Sequence, residues 1–174
     1  MPTLRKGHCY SKLTRAYTRK SKFKKTSFIR TIPPSKVVRF DLGDLKRKFD
    51  SKVELISKEA IQIRHNAIES ARLIINRNLH EKVGANNYHL QINIYPHHIL
   101  RENKMLSGAH ADRLQRGMQK SFGKPIGLAA QVRQGKTLFT AYVDKANIEL
   151  ARESLKKATP RLPGKCYIEF SEAS

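Results

Sequence analysis

Several groups of residues are of types that could do chemistry. Gly135-Lys136-Thr137 has the ending of a phosphate-binding loop, in which a glycine-rich backbone cradles phosphates beside a lysine. That motif needs a glycine five positions earlier, where Ala130 stands, and a helix after it, whereas the pattern here predicts a hairpin. His97-His98 with His110 offers imidazoles to a metal. Neighbouring residues on a strand point to opposite faces, however, and no carboxylate spacing completes a ligand set. Cys9 and Cys166 each lack a nearby second cysteine, so neither a zinc spacing nor a disulfide framework is present and two reduced structural thiols are expected. The carboxylates fall beside cations, as in Glu149 with Arg152 and Glu153 with Lys157, a common pattern on solvated helix faces. No acid–base pair emerges, so the expectation is a non-enzyme with no catalytic residue, no metal and no cofactor.

The chemistry that the composition does favour is the binding of a polyanion. Thirty-five Lys and Arg stand against fourteen Asp and Glu, a formal charge of +21 on 174 residues. Like charges destabilise a compact state unless a polyanion neutralises them. A membrane surface is excluded as that partner, because the chain has neither a long apolar span nor a basic amphipathic helix with bulky apolar residues. The basic start at Arg5 and Lys6 leads into no apolar signal segment, so a cytoplasmic protein is expected. Nucleic acid remains.

The charge is polarised. Residues 1–40 hold twelve Lys or Arg and no acidic residue. There the cations alternate with Ser and Thr and no apolar period is sustained, which predicts an RNA-binding arm over residues 1–35, closed by Pro33-Pro34, that takes its shape from its partner. A mitochondrial transit peptide, a nuclear-import patch and a merely solvated tail compete with that reading. The first suffers because no helical face gathers the apolar residues. Arg5, Arg15, Arg19 and Arg30 are suited to clamp phosphates bidentately, while Lys6, Lys20, Lys22, Lys24 and Lys25 act as point charges. Tyr10, Tyr17, Phe23 and Phe28 are equally suited to stacking on unpaired bases and to anchoring the arm on the core.

A second basic segment lies from Arg101 to Lys124, with six basic residues against two acidic and with Gly108, Gly117 and Gly123 in it. Structureless loops of that length are uncommon unless functional. Arg101, Lys104, Arg113, Arg116 and Lys120 are its candidate phosphate contacts, the glycines allow close backbone approach, and Leu114, Met118 and Phe122 fit one amphipathic turn. An ordinary surface loop is the competing reading.

The elements that must position these segments follow from periodicity. Residues 36–40 and 52–56 read as short strands around a turn at Asp41–Asp44. Ile61, Ile68, Ala71, Ile75 and Leu79 predict an amphipathic helix over 59–82, ended by Gly84. Leu90, Ile92 and Ile94 alternate with polar residues as a strand stopped by Pro96. Residues 128–132 and 138–143 flank Gln134-Gly135 and predict an antiparallel hairpin. Asp144 is placed to cap a second helix carrying Ile148, Ala151, Leu155 and Ala158, and Cys166, Ile168 and Phe170 make a last strand. The class is α+β: an antiparallel or mixed sheet with two main helices packed on it, a basic arm, and a single domain over 36–174 holding the loop at about 101–124.

The loop's residue order also carries a resemblance. Asn103-Lys-Met-Leu-Ser-Gly-Ala, then Ala111-Asp-Arg-Leu-Gln-Arg-Gly-Met and Phe122-Gly-Lys-Pro, resemble the central signature of the universal large-subunit ribosomal protein family numbered sixteen in bacteria and called L-ten-e in archaea and eukaryotes. Arg64-His-Asn-Ala-Ile-Glu-Ser-Ala-Arg and Tyr95-Pro-His-His-Ile-Leu-Arg extend the likeness over nearly the whole chain. The resemblance implies a structural constituent of the large subunit in the cytoplasm, binding large-subunit ribosomal RNA. It also implies a loop near the peptidyl-transferase region that helps position transfer RNA, through Arg101, Asn103, Lys104, Met105, Leu106, Ser107, Arg113, Gln115, Arg116 and Lys120. 5S ribosomal RNA and neighbouring ribosomal proteins are further expected partners; a homo-oligomer and a membrane are not. The end of the chain soon after its last strand favours the archaeal branch over the longer-tailed eukaryotic one. A free RNA-binding or RNA-chaperone protein is the alternative function, and an RNA-modifying enzyme a third.

Overall fold

A computed structural model of the chain describes residues 4–18, 23, 25, 29, 31–104, 108 and 122–172. The elements run α1 (His8–Ser11), β1 (Asp41–Gly43), β2 (Ser51–Ser57), β3 (Ile61–Arg64), α2 (His65–Lys82), β4 (Tyr88–Ile92), β5 (His98–Glu102), β6 (Lys124–Val132), β7 (Thr137–Val143), α3 (Ile148–Ala158) and β8 (Cys166–Glu172). The strands form two antiparallel sheets, one ordered β1-β4-β7-β2-β8 and one ordered β3-β6-β5. The α+β class is as expected, with a second sheet added.

The five-stranded sheet shows why alternation reads as one buried face. Leu42, Leu90, Ala141, Val53 and Phe170 lie in register across the five strands, and the middle three are closed to solvent. Against this face pack Ile68, Ala71, Ile75 and Leu79 of α2 and Ala151, Leu155 and Ala158 of α3, all at 0% exposure. The helix stripe predicted from the sequence is therefore the core stripe. Gly84, at φ +95°, ends α2 where its amide and that of Val83 return to the Leu79 carbonyl.

Four local expectations are corrected. The predicted helix start is wrong: Ile61–Arg64 are a strand paired with Val132–Ala129, and α2 begins at His65. The seven-residue step from Ile61 to Ile68 fits a helix, but Ile61, Gln62 and Ile63 are all buried in the strand, so burial on both faces replaces the helical stripe. The first strand is Asp41–Gly43 and not 36–40, because pairing with β4 runs through the expected turn; Asp44 N–H still reaches the Tyr88 carbonyl. The predicted hairpin does not form. β6 pairs with β3 and β5 while β7 pairs with β2 and β4. The turn itself is present, with Gly135 at φ +75°, but the end of β2 closes it: Gly135 N–H donates to the Ser57 carbonyl and Ser57 N–H to that of Lys136. The chain thus crosses from one sheet to the other. Asp144 precedes a 3₁₀ turn, Lys145–Asn147, and its carboxylate accepts the Arg47 guanidinium at 2.7 Å in place of capping the helix.

Truncating Ile75 to Ala should cost about 2–5 kcal/mol, because a closed site leaves a cavity. Leu73→Ala on the same helix, at 53% exposure, should stay within about 0.5 kcal/mol. Urea unfolding of the two variants checks the contrast.

Candidate nucleic-acid interface

The smaller sheet is where the basic arm and the basic loop meet. Strand β5 leads into the loop and β6 leads out, and their pairing runs to its neck, with Arg101 opposite Pro125 and Glu102 opposite Lys124. Gly123 fits there because of its φ of +79° and because a Cβ would lie 3.0 Å from the Glu102 carbonyl carbon. The guanidinium of Arg101 lies over two rings, 4.4 Å from the centre of Tyr17 and 4.3 Å from that of Phe122, and donates to the Phe122 carbonyl at 3.1 Å. Tyr17 and Phe122 meet edge to face at 5.4 Å. One arginine from β5 thus joins both ends of the loop to the arm.

The arm is docked further by hydrogen bonds to neutral acceptors. Tyr17 N–H donates to His98 Nδ1 at 2.8 Å, and Ile99 N–H donates to the Tyr17 carbonyl at 2.9 Å. Gln62, only 4% exposed, donates to the Cys9 carbonyl at 2.6 Å, and Arg5 donates to the Arg101 carbonyl at 3.0 Å. Lys36 N–H donates to His65 Nδ1 at 3.2 Å. Ile29, Ile99 and Leu128 form a small separate core beneath Tyr17. Of the two roles open to the arm's aromatics, Tyr17 takes the anchoring one, and Tyr10 turns its hydroxyl to the Arg5 amide. Phe23 is 66% exposed.

What this docking leaves open to solvent is positive charge. Lys6, Lys12, Arg15 and Lys25 are exposed, as is Lys104 just beyond the neck; Arg5 and Asn103 are half-buried. Arg5, His8, Lys12, Thr14, His98 and Arg101 contribute to the wall of a hollow of about 310 Å³ between arm and sheet, with no carboxylate among the described residues that line it. Several acidic residues pair with cations elsewhere, Glu149 with Arg152 at 3.6 Å, Glu153 with Lys157 at 3.1 Å and Glu81 with Arg77 at 2.8 Å. Arg19, Lys20, Lys22, Lys24, Phe28 and Arg30 of the arm, and Met105, Leu106, Ser107, His110, Arg113, Leu114, Gln115, Arg116, Met118 and Lys120 of the loop, lie outside the described residues. Sequence reasoning weighed His98 only as a metal ligand and gave no docking part to His65 or Gln62, the other acceptor and the donor at this junction; no sequence pattern signals these hydrogen bonds.

Among the described residues no group of His, Cys, Asp and Glu is arranged to hold a metal ion, and no helix is long and apolar enough to cross a membrane. Both cysteines are free thiols, and burial pushes the Cys166 thiol up.

Fold and site together define a class: a basic α+β protein with an acid-free basic arm docked beside the stem of a basic loop. Comparison with known proteins then gives the family. Residues 15–169 match the family described as ribosomal protein L16p/L10e. Large ribosomal subunit protein uL16 of Staphylothermus marinus is 44% identical over 168 residues, covering 96% of this chain and 93% of the relative. The protein of the same name in Methanococcus aeolicus is 44% identical over 172 residues, 98% and 96% of the two chains. That of Methanospirillum hungatei is 42% identical over 154 residues, 88% and 87%. The chain belongs to the ribosomal protein L16p/L10e family and sits with its archaeal branch, as a structural constituent of the large ribosomal subunit and not an enzyme.

The arm's attachment should depend on pH. Burial, then His97 and Arg101, holds the His98 imidazole below its ordinary 6.5; burial, then Lys36 and Arg64, does the same for His65. His98 accepts an arm N–H and His65 the N–H of Lys36, the residue that follows the arm, each through Nδ1, which requires that nitrogen to be unprotonated. The unfolded chain therefore binds protons first as pH falls through 6.5, so arm docking weakens below that pH and is fully present above it. Protection of the Tyr17 and Lys36 amides, taken relative to the base-catalysed intrinsic rate, should fall between pH 6.5 and 5, and His98→Asn, which keeps an acceptor, should remove the effect at Tyr17 alone.

Proposed function

We propose that this chain binds large-subunit ribosomal RNA through the arm at 1–35 and that the loop at 101–124, carried by the 36–174 domain, approaches the peptidyl-transferase region and helps position transfer RNA. In the arm the phosphate contacts are Arg5, Lys6, Arg15, Arg19, Lys20, Lys22, Lys24, Lys25 and Arg30. In the loop they are Lys104, Arg113, Arg116 and Lys120, with Asn103, Met105, Leu106, Ser107 and Gln115 shaping its approach. Arg101 takes a positioning part, since its guanidinium lies over Tyr17 and Phe122. 5S ribosomal RNA and adjacent ribosomal proteins complete the set of partners.

The observation that carries this reading is the shared origin of the two basic segments. Arm and loop stem meet at Tyr17, Arg101 and Phe122, and the hollow between arm and sheet has Arg5, Lys12 and Arg101 in its wall and no carboxylate among the described residues that line it. RNA phosphates that displace condensed counterions gain affinity at such a surface, while backbone contacts fix orientation without reading sequence. The loop's position beyond a paired two-strand stem gives it reach without exposing the core.

Two experiments test the division of roles. Replacing Arg19, Lys20, Lys22, Lys24 and Lys25 by Gln should lower the slope of log affinity for ribosomal RNA against log salt by about 0.7–0.9 for each phosphate that the arm no longer neutralises; an unchanged slope removes the arm from the RNA. Deleting 103–117 should leave the melting temperature within a few degrees and let the chain enter large subunits, because Arg101 and Glu102 keep their partners on β6. Peptide synthesis by those subunits should fall, with transfer RNA binding weakened; full activity would detach the loop from that role.

A further inference from the structure

Strand β8 is an edge of the five-stranded sheet, paired with β2 and nothing else among the described residues. All seven of its residues, Cys166–Glu172, are partly or fully exposed, whereas β2 beside it is largely buried. Edge strands are commonly guarded by charged side chains, lysine above all, or by proline. The sequence Cys-Tyr-Ile-Glu-Phe-Ser-Glu has no lysine or proline, and both of its charges are acidic in a chain with thirty-five Lys and Arg.

The two faces of this edge differ. On the helix side, Ile168 and Phe170 lie in register with the buried Leu55 and Val53, and Phe170 remains 53% exposed. Between that side of β8 and α3 lie two adjoining hollows of about 760 and 280 Å³, sharing Glu149, Arg152 and Ile168 as walls, with Cys166 in the first and Phe170 in the second. On the other side Glu169 stands directly opposite Glu54, a like-charge pair that costs stability, and Lys52 is 3.9 Å from Glu54. Among the described residues no ion pair forms on Glu169 or Glu172. The backbone is oriented for pairing as well. Lys58 N–H bonds the Lys165 carbonyl, and the antiparallel alternation from that pair turns the N–H and C=O of Ile168 and Phe170 to the free edge.

We propose that the β8 edge is a docking strand for an extended segment of a neighbouring large-subunit protein, one in which apolar residues alternate with Lys or Arg. Added as a sixth strand, such a segment takes backbone hydrogen bonds from Ile168 and Phe170. Its apolar side chains fill the hollows beside α3, and its cations lie on the far face against Glu169 and Glu54. An RNA backbone fits this edge poorly, since it would bring phosphates against Glu169, Glu172 and Glu54. The proposal rests on membership in the large subunit, and it assigns to β8 a partner of opposite charge to the one proposed for the arm.

The test uses large subunits that contain the full chain, with co-sedimentation established first so that failure to assemble is separated from failure of the edge. Amide exchange at Ile168 and Phe170 should be at least about tenfold slower in the subunit than in the free chain, as for newly hydrogen-bonded amides. Carbodiimide, which joins touching carboxylates and amines, should link Glu169 to a lysine of a different ribosomal protein. Glu169→Lys should remove the link and at least half of the added protection while the chain still sediments with the subunit. Unchanged exchange, a photo-crosslink from Tyr167 or Phe170 to RNA, or a carbodiimide link to a second copy of this chain would each overturn the proposal.

Discussion

The mutual repulsion of thirty-five cations on 174 residues is the constraint that the rest of this structure answers. The answer is spatial. Carboxylates are spent on the helices and on the rim of the larger sheet, where Arg72 pairs with Glu69, Lys82 with Glu153 and Arg47 with Asp144. Those pairs neutralise the layer that has to pack. The arm and the loop neck attach at the smaller sheet, which meets the main core through Ile61 and Ile63 of β3 and Ala130 and Val132 of β6, so their repulsion falls first on the arm and the neck.

How the arm is held follows from the same constraint. A carboxylate would be the strongest acceptor for a basic segment, but it would also cancel the charge for which the segment exists. The contacts that dock the arm end on uncharged groups: two imidazole nitrogens, the Cys9 and Arg101 carbonyls, the Tyr17 carbonyl and the face of an aromatic ring. Neutral acceptors give shape without discharge. The histidines can serve only while unprotonated, and the burial that keeps them so is supplied by the small core of Ile29, Ile99 and Leu128 and by the start of α2.

Much of this was legible in the residues, and the failures share a cause. The helix stripe from Ile68 to Leu79 and the alternation at Leu90–Ile92 are set by one buried face each, and periodicity records that directly; at Cys166–Ile168 it records a face only partly covered. Ile61–Ile63 misled because all three residues are buried, which erases the period. The turn at Gly135 misled for another reason. A turn signal fixes where the chain bends but not which strand receives it, and here the end of β2, far back in the chain, takes both hydrogen bonds. Charge, glycines and residue order pointed to a loop and charge alone to an arm, but none of them carries information on what joins the two. Arg101 read as a phosphate contact is in the structure engaged with Tyr17 and Phe122, a role that depends on a ring far back in the arm and on the residue that closes the loop.

That junction explains why two sheets serve better than the single one expected. Had β6 and β7 formed a hairpin in one sheet, β5 and the loop neck would have continued the larger sheet. The crossing at Gly135 instead puts β5, β6 and the arm on a second sheet, which meets the main core through Ile61 and Ile63 of β3 and Ala130 and Val132 at the far end of β6 from the loop neck. Strain at the loop neck then meets Arg101 and the backbone ladder of β5 and β6 before it reaches that packed end.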